Sequence, residues 1–184
     1  MNSGKLFYVI GPSGAGKDSV MTYAREKIDG QLPVLFAHRY ITRPADAGGE
    51  NHVYLSPNEF LKRKALGLFA LDWQSHGNFY GIGTEINTWL AGGATVVVNG
   101  SREYLPTATE RFPQMWVVLI SVSPEVLYQR LVARRRETME EINCRIERSQ
   151  QISAISHPRV LHLTNDTILE ETGAKFIDLI ISVV

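Results

Sequence analysis

Three things are scarce in this chain of 184 residues. The first is cysteine: Cys144 stands alone, which excludes an internal disulfide or a cysteine-built zinc site and fits a reduced, cytoplasmic protein. The second is net charge, because 19 Lys and Arg balance 19 Asp and Glu. That balance excludes the broad basic surface of a dedicated nucleic-acid binder, and an apolar content of 44% excludes a disordered tail. The third is any hydrophobic run near the ~18 residues of a membrane span. The longest runs, 116–122 and 176–184, are only strand-length. Leu6–Ile10 ends in Gly11-Pro12 rather than in a signal-peptide cleavage site, and so reads as part of the fold. Neither a membrane nor a nucleic acid is expected as a partner, and the length fits one domain spanning 1–184.

What is present alternates. Leu6–Ile10 is a continuous apolar run, as a strand buried on both faces requires. Gly11–Gly16 form a turn-rich loop, and Lys17–Lys27 follow with helix-compatible spacing and no Gly or Pro. Thr95–Val98, Trp116–Ile120 and Val160–Leu163 read as further strands, with a long helical pattern between the last two carrying Leu127, Leu131, Ile142, Ile146 and Ile152. Strands alternating with helices predict an α/β domain with a parallel central sheet. Residues 36–82 break the rhythm with turn residues, aromatics and one short helix near Pro57–Leu66, which predicts an inserted lobe in a core of 1–35 and 83–184.

Gly11-Pro12-Ser13-Gly14-Ala15-Gly16-Lys17 fits the G-x-x-x-x-G-K phosphate loop. Glycines let the backbone N–H groups converge on phosphate oxygens, the helix start adds partial positive charge, and the lysine reaches the β- and γ-phosphates. ATP is therefore the expected ligand of residues 11–19. The residue after the lysine is Asp18 rather than Ser or Thr. A carboxylate there is a candidate Mg²⁺ ligand, and Ser19 a candidate phosphate donor. The acidic residue expected at the end of a neighbouring strand is replaced by Asn99.

Arginine is concentrated where the charge sum hides it. Six of the 13 arginines fall between Arg130 and Arg148. A solvated helix paired with Glu137, Glu140, Glu141 and Glu147 is the plain interpretation. With a phosphate loop in the same chain, Arg134 and Arg145 become candidates for offsetting transition-state charge, in a lid of about 134–145 that closes over ATP.

The ordered set of the phosphate loop, Thr42-Arg43-Pro44, Gly49-Glu50-Asn51-His52, Gly77–Gly81, the Arg130–Arg148 region and Asn165-Asp166 resembles the guanylate kinase family along nearly the whole chain. The resemblance is closer still to a relative of that family acting on a phosphorylated sugar. It implies a three-layer P-loop fold with an acceptor-binding insert and a lid. It also places Arg130 and Asn165 near ATP. In guanylate kinases a glutamate in a Phe-x-Glu pattern and a hydroxyl residue after Tyr-Gly recognise guanine; the matching positions here are Leu71 and Ile82. Losing two such groups disfavours a base, although Asp72 beside Leu71 offers a carboxylate if the loop slips by one residue. Arg43 matches a family phosphate-binding arginine, a second aligns near Asp46, and the phosphate-binding tyrosine aligns with His52. Arg39 is a candidate replacement cation, and Tyr80, in the matched Gly77–Gly81 segment, is a further candidate for the acceptor site.

The resemblance thus implies transfer of the ATP γ-phosphoryl group to the 1-phosphate of ribose 1,5-bisphosphate, giving 5-phosphoribosyl 1-diphosphate. Two alternatives remain open. A guanylate or other nucleoside-monophosphate kinase would turn over GMP in a way that depends on Asp72. A non-catalytic guanylate kinase-like protein-binding module would bind no ATP. The three tryptophans, Trp73, Trp89 and Trp116, read most simply as packing residues.

Overall fold

The structure, a computed structural model, describes residues 4–28, 30, 32–44, 52–134, 138–150, 155 and 157–183, and the side chains of these except at 134, 148 and 150. In chain order the elements are β1 (Leu6–Ile10), α1 (Lys17–Ile28), β2 (Val34–Phe36), β3 (Arg39–Ile41), β4 (Val53–Tyr54), α2 (Pro57–Ala65), β5 (Phe69–Ser75) and β6 (Asn78–Gly83). There follow α3 (Glu85–Ala91), β7 (Thr95–Asn99), α4 (Leu105–Arg111), β8 (Trp116–Ser121), α5 (Pro124–Arg134), α6 (Met139–Gln150), β9 (Val160–Thr164) and α7 (Leu169–Val183). Five strands form one sheet in the order β2-β7-β1-β8-β9, and the pairs β2–β7 and β8–β9 run parallel. This is the expected α/β architecture. All five residues of β1 and of β7 are buried, as both-face burial in such a sheet demands.

The chain divides into two compact units, Met1–Tyr8 with Asp29–Met115, and Val9–Ile28 with Trp116–Val184. In the first, a separate sheet of four strands, β4-β3-β6-β5, is built from residues of the expected insert. Its two faces follow from strand alternation and from a register irregularity between Phe69 and Leu71, which lets these two side chains fall on opposite faces. Tyr40, Phe69 and Phe79 pack with Leu55 and with Phe60 of α2, the Phe60 ring lying 4.5 Å from Phe69 and 5.4 Å from Phe79. Helix α2 starts where Ser56 caps it, its hydroxyl accepting from the Glu59 N–H at 3.2 Å, with Pro57 in the first turn. The other face carries Leu71, Trp73, Tyr80 and Ile82, with Leu71 opposite Ile82 and Trp73 opposite Tyr80 in the β5–β6 register.

In the second unit the long helical pattern is two helices, not one. Thr138 and Glu141 form a capping box at the start of α6: the Thr138 N–H donates to the Glu141 carboxylate at 2.8 Å, and the Glu141 N–H donates to the Thr138 hydroxyl at 3.3 Å. Leu127 and Leu131 of α5 pack with Ile142 of α6 in one apolar cluster. The C-terminal apolar run is helical, within α7, because Phe176 and Ile180 recur at helical spacing and both are fully buried. A short apolar run does not by itself separate a strand from a buried helix. Among the described residues no helix is long and apolar enough to cross a membrane.

Candidate active site

The phosphate loop joins β1 to α1, as its sequence requires. Gly14 and Gly16 adopt φ of +93° and +81°, a left-handed conformation that a phosphate cradle uses and that is strained for residues with a Cβ. At Gly16 space is also short: a Cβ would lie 2.5 Å from Asn165 Nδ2. Asn165, buried in the turn after β9, donates from Nδ2 to the Ala15 carbonyl at 2.7 Å and so fixes the loop from behind. Lys17 Nζ folds back on the loop, donating to the carbonyls of Gly11 at 2.9 Å and Pro12 at 3.3 Å. Asp18 is half-buried in the first turn of α1 and Ser19 beside it is exposed.

Two arginines converge on this loop. Arg145 of α6 donates from Nη1 to the Ser13 hydroxyl at 2.9 Å. Arg130 of α5 has a buried Nη1 with no hydrogen-bond partner among the described residues, 3.9 Å from the position of a Gly16 Cβ. A buried donor of a permanently charged group is costly unless an acceptor completes it, so this nitrogen is a candidate to hold an anion at the loop. Of the sequence candidates, Gly11–Ser19, Arg130, Arg145 and Asn165 therefore lie in one unit, with Arg145 and Asn165 tied to the loop by the hydrogen bonds above. The Arg134 backbone ends α5 and its side chain lies outside the described residues, as do residues 135–137 of the expected lid.

The acceptor candidates lie in the first unit. Arg43 Nε is buried and has no hydrogen-bond partner among the described residues. His52, also buried, has Nε2 2.9 Å from the Arg43 carbonyl, so it holds the Arg43 backbone. Asp46 and Gly49–Asn51 lie outside the described residues. The Arg39 guanidinium sits over the Tyr80 ring at 5.3 Å. Leu71 and Ile82, the two alkyl replacements, are cross-strand neighbours and both are fully buried. Asp72 alternates to the opposite face, where its carboxylate is ion-paired with Lys64. In this register Leu71 rather than Asp72 faces Ile82, and a one-residue slip that brought Asp72 there would turn the other side chains of the strand to the wrong face.

Sequence reading missed three features. Ser13 as the partner of Arg145 has no sequence signal. The capping box does have one, Thr-x-x-Glu, which marks the break between α5 and α6; the Thr138 N–H and hydroxyl hold the Glu141 carboxyl below its usual pKa. The third is Tyr8. Its hydroxyl accepts from the Ser101 N–H at 2.9 Å and donates to the Ser101 carbonyl at 3.0 Å, pinning the turn that follows β7. Burial drives its pKa well above the ordinary tyrosine value, and the charge of Arg39 opposes that shift weakly. Among the described residues no group of three or more His, Cys, Asp or Glu is placed to hold a metal ion.

A phosphate loop on an α/β sheet, with arginines of two following helices beside it, is the arrangement of a P-loop kinase, and solved structures share the fold. The guanylate kinase from Anaplasma phagocytophilum superposes with a TM-score of 0.71 at 16% identity, covering 98% of this chain and 86% of that one. A gluconokinase from Sinorhizobium meliloti 1021 superposes with a TM-score of 0.53 at 18% identity over 100% and 95% of the two chains. These likenesses establish the fold. No protein-family model matches the chain. Full-length relatives are more specific. The ribose 1,5-bisphosphate phosphokinase PhnN of Thiobacillus denitrificans is 55% identical over 182 residues, covering 98% of this chain and 94% of its own. That of Desulfomicrobium baculatum is 50% identical over 96% and 94%, and that of Burkholderia pseudomallei 48% identical over 98% and 97%. The chain belongs to the ribose 1,5-bisphosphate phosphokinase (PhnN) family.

Proposed function

We propose that this protein transfers the γ-phosphoryl group of ATP to the 1-phosphate of ribose 1,5-bisphosphate, giving 5-phospho-α-D-ribose 1-diphosphate and ADP. The observation that carries this reading is the 55% identity to a ribose 1,5-bisphosphate phosphokinase over 98% of the chain. The geometry is consistent with it: a phosphate loop fixed by Asn165, and an insert whose guanine-recognising positions are filled by buried Leu71 and Ile82. The intact loop argues against a protein-binding module, and the pairing of Asp72 with Lys64 argues against a guanylate kinase.

An oxygen of the acceptor 1-phosphate attacks the γ-phosphorus; the new P–O bond forms as the bond to the β–γ bridging oxygen breaks, and ADP leaves with that electron pair. No general base is required, because a phosphate with a second pKa near ~6 is already ionised at pH 7. The demand is for cations. Lys17 exchanges the Gly11 and Pro12 carbonyls for γ-phosphate oxygens, Arg130 completes its buried Nη1 on the nucleotide, and Arg134 and Arg145 offset charge on the transferring group. Gly11, Pro12, Ser13, Gly14, Ala15 and Gly16 supply the cradle. Arg43 and Arg39, with Tyr80 and His52 holding them, take the acceptor phosphates. Mg²⁺ would supply further charge compensation, and Asp18, in the first turn of α1, is the carboxylate that would hold it. The lone cysteine and the use of ATP fit a cytoplasmic site of action.

The test is ADP release with ribose 1,5-bisphosphate, with Lys17→Ala as the blank. Turnover that vanishes in the blank supports the proposal, and turnover of GMP alone overturns it.

A further inference from the structure

Four residues of the first unit form one row, of which the proposed chemistry uses Tyr80 and Arg39 and leaves Trp73 and Tyr104 unexplained. Tyr104, just before α4, stacks with Trp73 on β5 at 5.5 Å and 27°. Trp73 stacks with Tyr80 on β6 at 5.6 Å and 5°, and the Arg39 guanidinium of β3 lies over Tyr80 at 5.3 Å. The register makes the row: Trp73 is opposite Tyr80, and Arg39, opposite Ile82, is the diagonal neighbour of Tyr80. With 8% and 9% of their surfaces exposed, Trp73 and Tyr80 have almost no ring surface left for a ligand. The column therefore does not itself stack on a base or sugar. What it does is fix the place of the cation at its end, and it is braced at the other end, where Tyr8 pins Ser101 three residues before Tyr104.

We propose that Trp73, with Tyr104 behind it, is a positioning residue for acceptor binding: through Tyr80 it holds the Arg39 guanidinium where the phosphate of a non-aromatic phosphate ester is received. This rests on the acceptor role given to Arg39 above. An arginine already held over a ring gives up less freedom when it engages a phosphate, and its planar fork keeps a fixed direction. Lysine would keep the charge but not that geometry.

The experiment compares wild type with Trp73→Phe, Trp73→Leu, Arg39→Lys and the Trp73→Leu/Arg39→Lys double variant. Acceptor KM, ATP KM and kcat are measured with ribose 1,5-bisphosphate, and the Kd of ribose 5-phosphate is measured by calorimetry. Trp73→Leu keeps an apolar side chain without a ring. It is expected to raise the acceptor KM and the ribose 5-phosphate Kd about tenfold, with ATP KM and kcat within about twofold. Trp73→Phe restores both to within about threefold, and adding Trp73→Leu to Arg39→Lys costs less than about twofold more, because the two act as one unit. Equal rises in both KM values, no rise with Trp73→Leu, or full additivity in the double variant would overturn the assignment. If wild type turns over no ribose 1,5-bisphosphate, the proposed function fails instead, and the ribose 5-phosphate Kd still decides whether Trp73 acts through Arg39.

Discussion

Arg145 of α6 donates to the hydroxyl of Ser13 in the phosphate loop at 2.9 Å, across 132 residues of chain. The bond holds a cation against the phosphate loop. The contact replaces part of the solvation that the guanidinium would otherwise seek, and exchanging one oxygen ligand for another on nucleotide binding is a small step.

Arg145→Ala is therefore expected to cost activity far more than stability. A single cation aimed at transferring phosphoryl oxygens contributes on the order of 10²-fold to kcat or more. A lost polar contact of a half-buried arginine shifts Tm by no more than about 3 °C. Steady-state ADP release beside a thermal melt checks this; lost stability with intact turnover would make the arginine structural.

Gly16→Ala tests the loop itself. The φ of +81° and the 2.5 Å approach of Asn165 to a Cβ act together. The variant must move the loop or expel Asn165, leaving the Ala15 carbonyl without its partner. ATP affinity is expected to fall at least ~30-fold, read by titration with a fluorescent nucleotide, with the central sheet still folded by circular dichroism.

The buried pair Leu71 and Ile82 gives a prediction about specificity. Leu71→Glu places a carboxylate at a site with 0% exposure. The expected result is a loss of about 3 kcal/mol or more in a denaturant melt and no gain of GMP turnover. Leu71→Ala, which creates a cavity, should cost about 2–5 kcal/mol.

Tyr8 predicts an alkaline limit. Its folded-state pKa is raised by burial, so its contribution is complete below the unfolded value of about 10 and is lost as pH rises above it. Tyr8→Phe leaves both polar groups of Ser101 without this partner and should cost about 1–3 kcal/mol at pH 7, while flattening the loss of stability above pH 10. Glu141 works in the opposite direction: its lowered pKa makes its cap complete above about 4.3 and lost as pH falls below that.

Local signals explain which parts of this account can be read before any coordinates. The strands from Leu6, Thr95, Trp116 and Val160 announce themselves as apolar runs, and the phosphate loop as fixed spacing, because each needs only neighbouring residues. Leu71 and Ile82 are recognisable as alkyl side chains in sequence, but their mutual contact depends on the β5–β6 register. The turning of Asp72 toward Lys64 depends on the same pleat. Ser13 with Arg145, Tyr8 with Ser101, and the column from Tyr104 to Arg39 join residues many positions apart, and no local pattern encodes them. The C-terminal run from Phe176 shows the remaining ambiguity: it has strand length and strand composition, yet its burial follows a helical period.

The most direct test of the central claim is a coupled ADP-release assay with ribose 1,5-bisphosphate, GMP and AMP side by side, using wild type and Lys17→Ala. The account predicts turnover of the sugar bisphosphate at least ~10²-fold above either nucleotide in kcat/KM, and none in the lysine variant. Preferential turnover of GMP, or silence on all three without ATP binding, would contradict it.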